Sequence, residues 1–343
     1  MTAQCVGRFF RTDGKYLSRA YKEHLSGFGD WEQKEHADEW VLLEQNMGER
    51  LSIDETMLHH DLFTFLSNKD GHCKKGTLIA AVKGTTVADV TEHLDKIPQK
   101  SRQKVKEVTM DFSDSMMGIV RKEFPQAEIV IDLFHVMQLY GTKGLDAMHM
   151  KLKRANTTEV KRLEREFKKR QEQNARNRKR YKAKHPPRKS KNEKFNPPKL
   201  DNGETKADLL THVRYPLMKS PDDWTDFQRC EMHLLFEIEP KMKVAYGLLC
   251  ALRNIFSKIK DRKKARKALH KWYKNVGKTR IKEIISVRDT IKSKEEYILN
   301  YFNNRSTNAS AESFNSKVKG LRAQVHGVND LPFFMFRCAK IFG

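Results

Sequence analysis

Val105-Lys-Glu-Val-Thr-Met-Asp111 reads as a β-strand that ends on an aspartate and gives way at once to a helical run. Alternation along a strand puts Thr109 and Asp111 on one side and Val108 and Met110 on the other. Upstream, Leu51-Ser-Ile-Asp54 has the same form, with Ser52 and Asp54 on one side and Leu51 and Ile53 opposite. If the two strands are neighbours and run parallel, their aspartates meet at the C-terminal ends. Open α/β sheets place their active sites at that edge.

The flanking segments extend the pattern. Leu62-Phe-Thr-Phe-Leu66 and Thr77-Leu-Ile-Ala-Ala-Val82 bracket the turn signal Asn68-Lys-Asp-Gly71, which predicts a hairpin. A helix is expected over about 87–97, closed by Pro98. Ser113 or Ser115 is placed to cap a helix over 116–124, which Pro125 ends. Glu128-Ile-Val-Ile131 is a further short strand leading into Asp132-Leu-Phe-His135. Strands and helices in this order make an α/β fold. After about 136 the strand signal stops, and 205–300 reads as helical throughout. Four stretches follow: a short polar and helical segment over 1–48 with Trp31 and Trp40 as anchors, the first part of a core over 49–140, a basic and mostly helical tract over 141–300, and a closing stretch over 301–343.

The chain has 343 residues and a formal net charge of +23, an excess that favours a polyanionic partner, nucleic acid above all. Residues 151–200 hold 20 Lys and Arg against 5 Asp and Glu, and so carry most of that excess. Within them Lys161 to Arg170 suits a charged helix, and a mobile stretch is expected near 174–200. Lys179 and Arg180 there are candidate contacts to a phosphate backbone. No apolar run reaches the ~18 to 20 residues that cross a bilayer, so no membrane partner is expected. The N-terminus is too polar for a signal peptide, and five scattered cysteines without a Cys-x-x-Cys pair suit reduced thiols inside a cell. No glycine-rich nucleotide-phosphate motif is present.

A third stretch, Asn308-Ala-Ser-Ala-Glu-Ser-Phe-Asn315, opens a segment with helical spacing. Ala311, Phe314, Val318 and Leu321 repeat at intervals of three and four and are expected to face a core. Glu312, Asn315, Lys319 and Arg322 form another stripe that suits a metal beside a phosphate backbone, or a solvated face with ordinary i, i+3 and i+4 pairs. Asp54, Asp111 and Glu312 are far apart in sequence, so only folding can bring them together. Three converging carboxylates in a basic chain suit two divalent metals acting on a phosphodiester. Magnesium takes oxygen ligands, and two ions about 4 Å apart serve the attacking and leaving oxygens of an in-line displacement.

Ser52-Ile-Asp-Glu-Thr56, Thr109 to Met116, Phe124 to Val136 and Thr307 to Asp330 together resemble the DDE transposases of bacterial insertion sequences, specifically the ISL-type branch. The resemblance runs from about Leu51 to the C-terminus. It implies a ribonuclease H-like mixed sheet flanked by helices, with a large, mostly helical insertion before the last catalytic helix. It implies that Asp54, Asp111 and Glu312 ligate two Mg²⁺ or Mn²⁺ ions and that the Asp-x-x-His element falls on Asp132 and His135. His135 then contacts the scissile phosphate, orders the site or protonates a leaving group, unless it is a structural histidine at a strand end. Asn308 and Asn315 position the Glu312 helix or the DNA.

The partners implied are double-stranded DNA, as element ends and target, and a second copy in a homodimer or larger synaptic complex, associated with the bacterial nucleoid. Full-length relatives begin with a cysteine-rich zinc element and a helix-turn-helix. Only about 50 residues, with Cys5 alone among them, precede Asp54 here. A separate N-terminal DNA-recognition polypeptide, or a gene that has lost its front part, is therefore expected. Two other readings stand beside the transposase: a ribonuclease H-like nuclease that cuts without joining, and a decayed remnant that only binds DNA.

Overall fold

The computed structural model describes residues 3–182, 194–324 and 330–343. The chain forms two compact units, one from Met1–Val136 with Lys294–Gly343 and the other from Met137–Ser293. The expected mobile stretch near 174–200 lies partly outside the described residues, and 325–329 of the last motif lie wholly outside them.

The first unit holds short helices α1 (Ala3–Phe9) and α2 (Gly14–Ala20) and a six-stranded sheet: β1 (Trp40–Leu42), β2 (Arg50–Leu58), β3 (Asp61–Asn68), β4 (Leu78–Lys83), β5 (Glu107–Met110) and β6 (Glu128–Ile131). Helices α3 (Val87–Leu94) and α4 (Gln99–Arg102) precede β5, α5 (Asp114–Glu123) links β5 to β6, and α6 (Leu133–Leu139) follows. The strand order is β1-β4-β3-β2-β5-β6. β2, β3 and β4 form an antiparallel meander, and β5 and β6 extend it in parallel from the other edge of β2. This mixed α/β sheet flanked by helices is consistent with the ribonuclease H-like class. Thr86 caps α3 and Ser113 caps α5, each hydroxyl accepting from a backbone N–H of the first turn.

Two features of this unit differ from the sequence expectation. β1 pairs antiparallel with β4, adding a sixth strand inside a stretch that reads as helical. Three residues are too few to show alternation, so neighbouring β4 supplies the signal instead. Asp54 also lies in the middle of β2, not at its end. β2 continues to Leu58 and turns into β3 through His59-His60, with His59 at φ 56°, where glycine is the usual choice. The partner β5 pairs with β2 only as far as Ser52, so beyond that point β2 continues past the end of its parallel neighbour.

The chain then runs through the helices α7 (Ala147–Lys182), α8 (Lys206–His212), α9 (Asp226–Ile238), α10 (Pro240–Lys258), α11 (Arg262–Thr279) and α12 (Lys282–Ser293) of the second unit. α7 continues through 174–182, where a mobile stretch is expected. Its residues there are good helix formers, and the first proline comes at 186. The core of this unit includes Tyr140, whose hydroxyl donates to the Ala245 carbonyl at 2.8 Å, and Trp272, whose indole N–H donates to Leu248 at 2.9 Å.

Back in the first unit, α13 (Glu295–Leu299) and α14 (Tyr301–Asn304) precede α15 (Ala309–Gln324) and α16 (Leu331–Phe342). Ala311, Phe314, Val318 and Leu321 of α15 are all buried, as their spacing predicts. Phe314 sits edge-on to Phe65 of β3 and Phe342 of α16, with ring centroids 5.7 and 5.2 Å apart. Phe63, Phe334, Met335 and Cys338 complete this apolar layer on one face of the sheet. Leu51, Ile53 and Leu66 alternate to the other face and are equally buried. α3 and α5, which pack on each other and on β4 and β5, cover that face.

The base of β5 is tied to the segment leading into α15. Glu107 is buried, accepts from Asn304 at 3.1 Å and from the Ser306 hydroxyl, and pairs with Lys69 at 3.4 Å. Burial raises its pKa, but the Ser306 and Asn304 hydrogen bonds and Lys69 outweigh this and hold it below the usual glutamate value. A carboxylate with a depressed folded pKa stabilises the fold above its unfolded pKa, and that stability is lost as the pH falls through the folded value.

Two outcomes are expected. Phe314→Ala should cost about 3–5 kcal/mol, read from the urea midpoint, because it opens a cavity between β3, α15 and α16. A loss below about 1 kcal/mol would mean that the α15 layer does not anchor the sheet. Glu107→Gln should cost about 3 kcal/mol at neutral pH by leaving Lys69 without its buried partner. It should also flatten the acid limb of the stability curve, and an unchanged limb would remove Glu107 from that role.

Candidate active site

Four backbone elements supply the side chains. Asp54 comes from β2, Asp111 directly follows β5, Asp132 and His135 lie where β6 passes into α6, and Glu312 and Asn315 lie on α15 with Asn308 just ahead of it. β2 and β5 are parallel neighbours with Ser52 opposite Thr109, and their hydroxyls are 2.8 Å apart. The two strands therefore carry their aspartates forward side by side, two residues beyond this pair.

Asn308 locks the last helix to that edge. It is fully buried, its side-chain N–H donates to Asp111 Oδ1 at 3.0 Å, and its Oδ1 accepts from the Thr109 hydroxyl at 3.3 Å. Its carbonyl accepts from the Glu312 backbone N–H at 3.0 Å, the first helical bond of α15. One turn further on, Asn315 donates to Asp54 Oδ2 at 2.5 Å. One helix thus holds both aspartates through two amides.

His135 Nε2 is 2.9 Å from Asp111 Oδ1. His135, Asp132 and Glu312 also form a cluster whose candidate ligand atoms all lie within 4.8 Å of one another. Asp132 is buried and its Oδ1 accepts from the Phe134 backbone N–H at 3.3 Å. The acids therefore fall in two groups, Asp54 with Asp111 and Asp132 with Glu312, and His135 bridges them. Glu312 itself is exposed to solvent.

Burial, and then the like charge of Asp111, push the Asp54 carboxyl up to about 6. Burial and Asp111 raise Glu55 as well. Hydrogen bonding to Asp111 raises His135, against the lowering effect of its burial. Among the described residues no Lys or Arg pairs with Asp54, Asp111, Asp132 or Glu312. Negative charge is gathered here with His135 as the cationic partner of Asp111 and no lysine or arginine beside it.

That donor set fits hard divalent cations, which prefer carboxylate and amide oxygens. Asn315 Oδ1 supports the fit: it is buried and has no hydrogen-bond partner among the described residues. An orphaned acceptor beside paired carboxylates is what a bound cation or its water would satisfy. Asp132, His135 and Glu312 have ligand atoms close enough together to hold such an ion, and Asp54 and Asp111 form a second carboxylate pair next to His135.

Other predicted site residues lie elsewhere. Lys319 is exposed on α15, and the Arg322 guanidinium is 3.4 Å from the Met57 carbonyl. Lys179 and Arg180 are exposed on α7, in the second unit. Sequence reasoning missed Glu55, whose signal was only its place beside Asp54. It also missed the hydroxyl pair Ser52–Thr109, although both residues stand one alternation before an aspartate.

Comparison with known proteins agrees with this arrangement. A family model described as transposase, of the ISL3 type within the DDE group, matches residues 51–338. The transposase for insertion sequence element IS1557 of Mycobacterium tuberculosis is 24% identical over 274 residues, covering 79% of this chain and 54% of that protein. The transposase for insertion sequence element IS1001 of Bordetella parapertussis is 20% identical over 344 residues, covering 99% of this chain and 69% of that protein. The chain thus spans about half the length of the first of these relatives. No solved structure matches it. With the family match running through every element that carries a site carboxylate, the chain belongs to the ISL3-type family of transposases.

Proposed function

We propose that the chain cleaves DNA at the ends of an insertion sequence and joins those ends to target DNA, using Asp54, Asp111 and Glu312 as metal ligands. The observation that carries this reading is the pairing of Asp54 and Asp111 on adjacent parallel strands, each held by an amide of the segment that bears Glu312. Two bound Mg²⁺ or Mn²⁺ ions would supply activation of an attacking oxygen and stabilisation of the leaving 3′-oxygen.

The chain's own residues do the rest. Asn308 and Asn315 fix the two aspartates, so little reorganisation is needed when a phosphodiester arrives. His135 orients Asp111 through its Nε2, and a contact to the scissile phosphate is assigned to it. Lys319 and Arg322, further along α15, are assigned to the DNA backbone, as are Lys179 and Arg180 on α7. Hydrolysis at the element end breaks a phosphodiester and frees a 3′-hydroxyl. That hydroxyl then attacks a target phosphodiester, forming one P–O bond and displacing one 3′-oxygen.

The second unit, 137–293, is assigned as the insertion ahead of the final catalytic helix. Synapsis of two ends calls for a dimer or larger assembly.

The test is metal-dependent cleavage of plasmid and element-flanking DNA, followed by strand transfer from an oligonucleotide with a free 3′-hydroxyl. Asp54→Asn, Asp111→Asn and Glu312→Gln should each lower cleavage by on the order of 10³-fold or more while leaving DNA binding within a few-fold. Full activity in any of the three would remove that residue from the site. Cleavage without strand transfer would make the protein a nuclease. Asn308→Ala and Asn315→Ala should lose about 10- to 100-fold in metal affinity or rate, as positioning residues do. Unchanged metal affinity in both would mean the amides serve packing alone.

A further inference from the structure

The second unit carries a charged surface that the carboxylate site does not use. α11 contains no Asp or Glu between Arg262 and Thr279. Its lysines Lys263, Lys264, Lys267, Lys271, Lys274 and Lys278 are all exposed. At about 100° per residue, these six fall within one sector of roughly 100° on the helix surface. Ala265, Leu269, Trp272, Tyr273 and Val276 fill the opposite sector and are buried. The Trp272 hydrogen bond to Leu248 ties that side to α10. The lysine row is therefore presented on a helix with a fixed back.

α7 is also rich in basic residues, but it interleaves them with four glutamates, and two of its cations are paired within the helix. Arg162 pairs with Glu159 and Glu166, and Lys168 pairs with Glu164. Among the described residues none of the six α11 lysines has a carboxylate partner. Like charges at i, i+4 spacing repel, and a polyanion laid along the row relieves that repulsion.

We propose that the lysine face of α11 binds the phosphate backbone of duplex DNA, as a surface separate from the carboxylate site. The choice of DNA rests on the transposase reading. The row runs about 22 Å along the helix axis, against a duplex that offers one phosphate charge per ~1.7 Å. Lysine is a compact point charge that meets phosphates without the bidentate geometry by which arginine reads bases. The surface therefore recognises backbone and not sequence.

Two other polyanions fit less well. A basic helix that lies on a membrane needs its apolar face free, and here that face is buried in the unit's own core. Single strands are held by stacking on exposed aromatic rings, and the aromatic residues of α11 are buried.

The test uses the whole chain, in EDTA, with a duplex of arbitrary sequence about 30 base pairs long, over salt from about 50 to 300 mM. Wild type is compared with the triple variant Lys267→Ala, Lys271→Ala, Lys274→Ala and with Lys168→Ala as a control on α7. The triple variant should show a log–log salt slope shallower by roughly 2 to 3, and about 10- to 100-fold weaker binding near 0.15 M salt. The control should match wild type, and the melting temperature should not move. A triple variant with wild-type slope and affinity overturns the proposal. So does a loss confined to vesicles of anionic phospholipid, with duplex binding intact. The two readings fail separately: a shifted slope without metal-dependent cleavage would refute only the catalytic assignment, and cleavage with an unshifted slope only the α11 surface.

Discussion

The parallel pairing of β2 with β5 is the constraint on which the site depends. Three register pairs hold it, Arg50 with Glu107, Leu51 with Val108 and Ser52 with Thr109, and then the ladder ends. A slip of one residue would turn Asp54 to the opposite face and bring Leu51 or Ile53 out of the core. The Ser52–Thr109 hydroxyl pair, buried at the last step of the ladder, marks that register from the side-chain direction as well. Because the ladder stops there while β2 runs on, Asp54 emerges beside Asp111 at an open edge.

Everything else at the site attaches to that edge. Asn308 reads the register twice, by accepting from Thr109 and by donating to Asp111, and it also starts α15. The helix can seat only where Phe314 meets Phe65 and Phe342, so apolar packing on one stripe sets where Glu312 and Asn315 fall on the next. At the other end of β5 the Glu107 network holds the entry to the same helix. Packing supplies the energy, and the buried amides supply the geometry. The cost is carboxylates held close together without a lysine or arginine beside them, visible in the upward push on Asp54. A fold tolerates such repulsion where a cation is to be bound.

Much of the core was legible before any coordinates. The β3–β4 hairpin, the capped helix α5 and the apolar stripe of α15 follow from strong local periodicity and from turn and cap residues that have few alternatives. β1 was not legible, because three residues show no period and its strand character comes from β4. The reach of β2 to Leu58 was hidden by the polar run Asp54-Glu-Thr56 and by a turn built on histidines in place of glycine. The charged stretch at 174–182 reads as a loop by its lack of apolar residues, yet it continues α7, since helix propensity without a breaker suffices to extend a helix already begun.

By itself the sequence determined the element types, the apolar stripes, the basic balance and the family, because these rest on local pattern and on motif identity. It named Asp54, Asp111 and Glu312 as a set through resemblance, and it placed two of them on strands through alternation. Only the tertiary structure decided their relations: that His135 bridges two acid groups, that Asn315 faces Asp54, and that Asn308 joins Thr109 to Asp111. Those contacts link residues roughly 20 to 260 positions apart, and no local period encodes them. Strand register and helix docking decide them, and both are set by which apolar faces can be buried together.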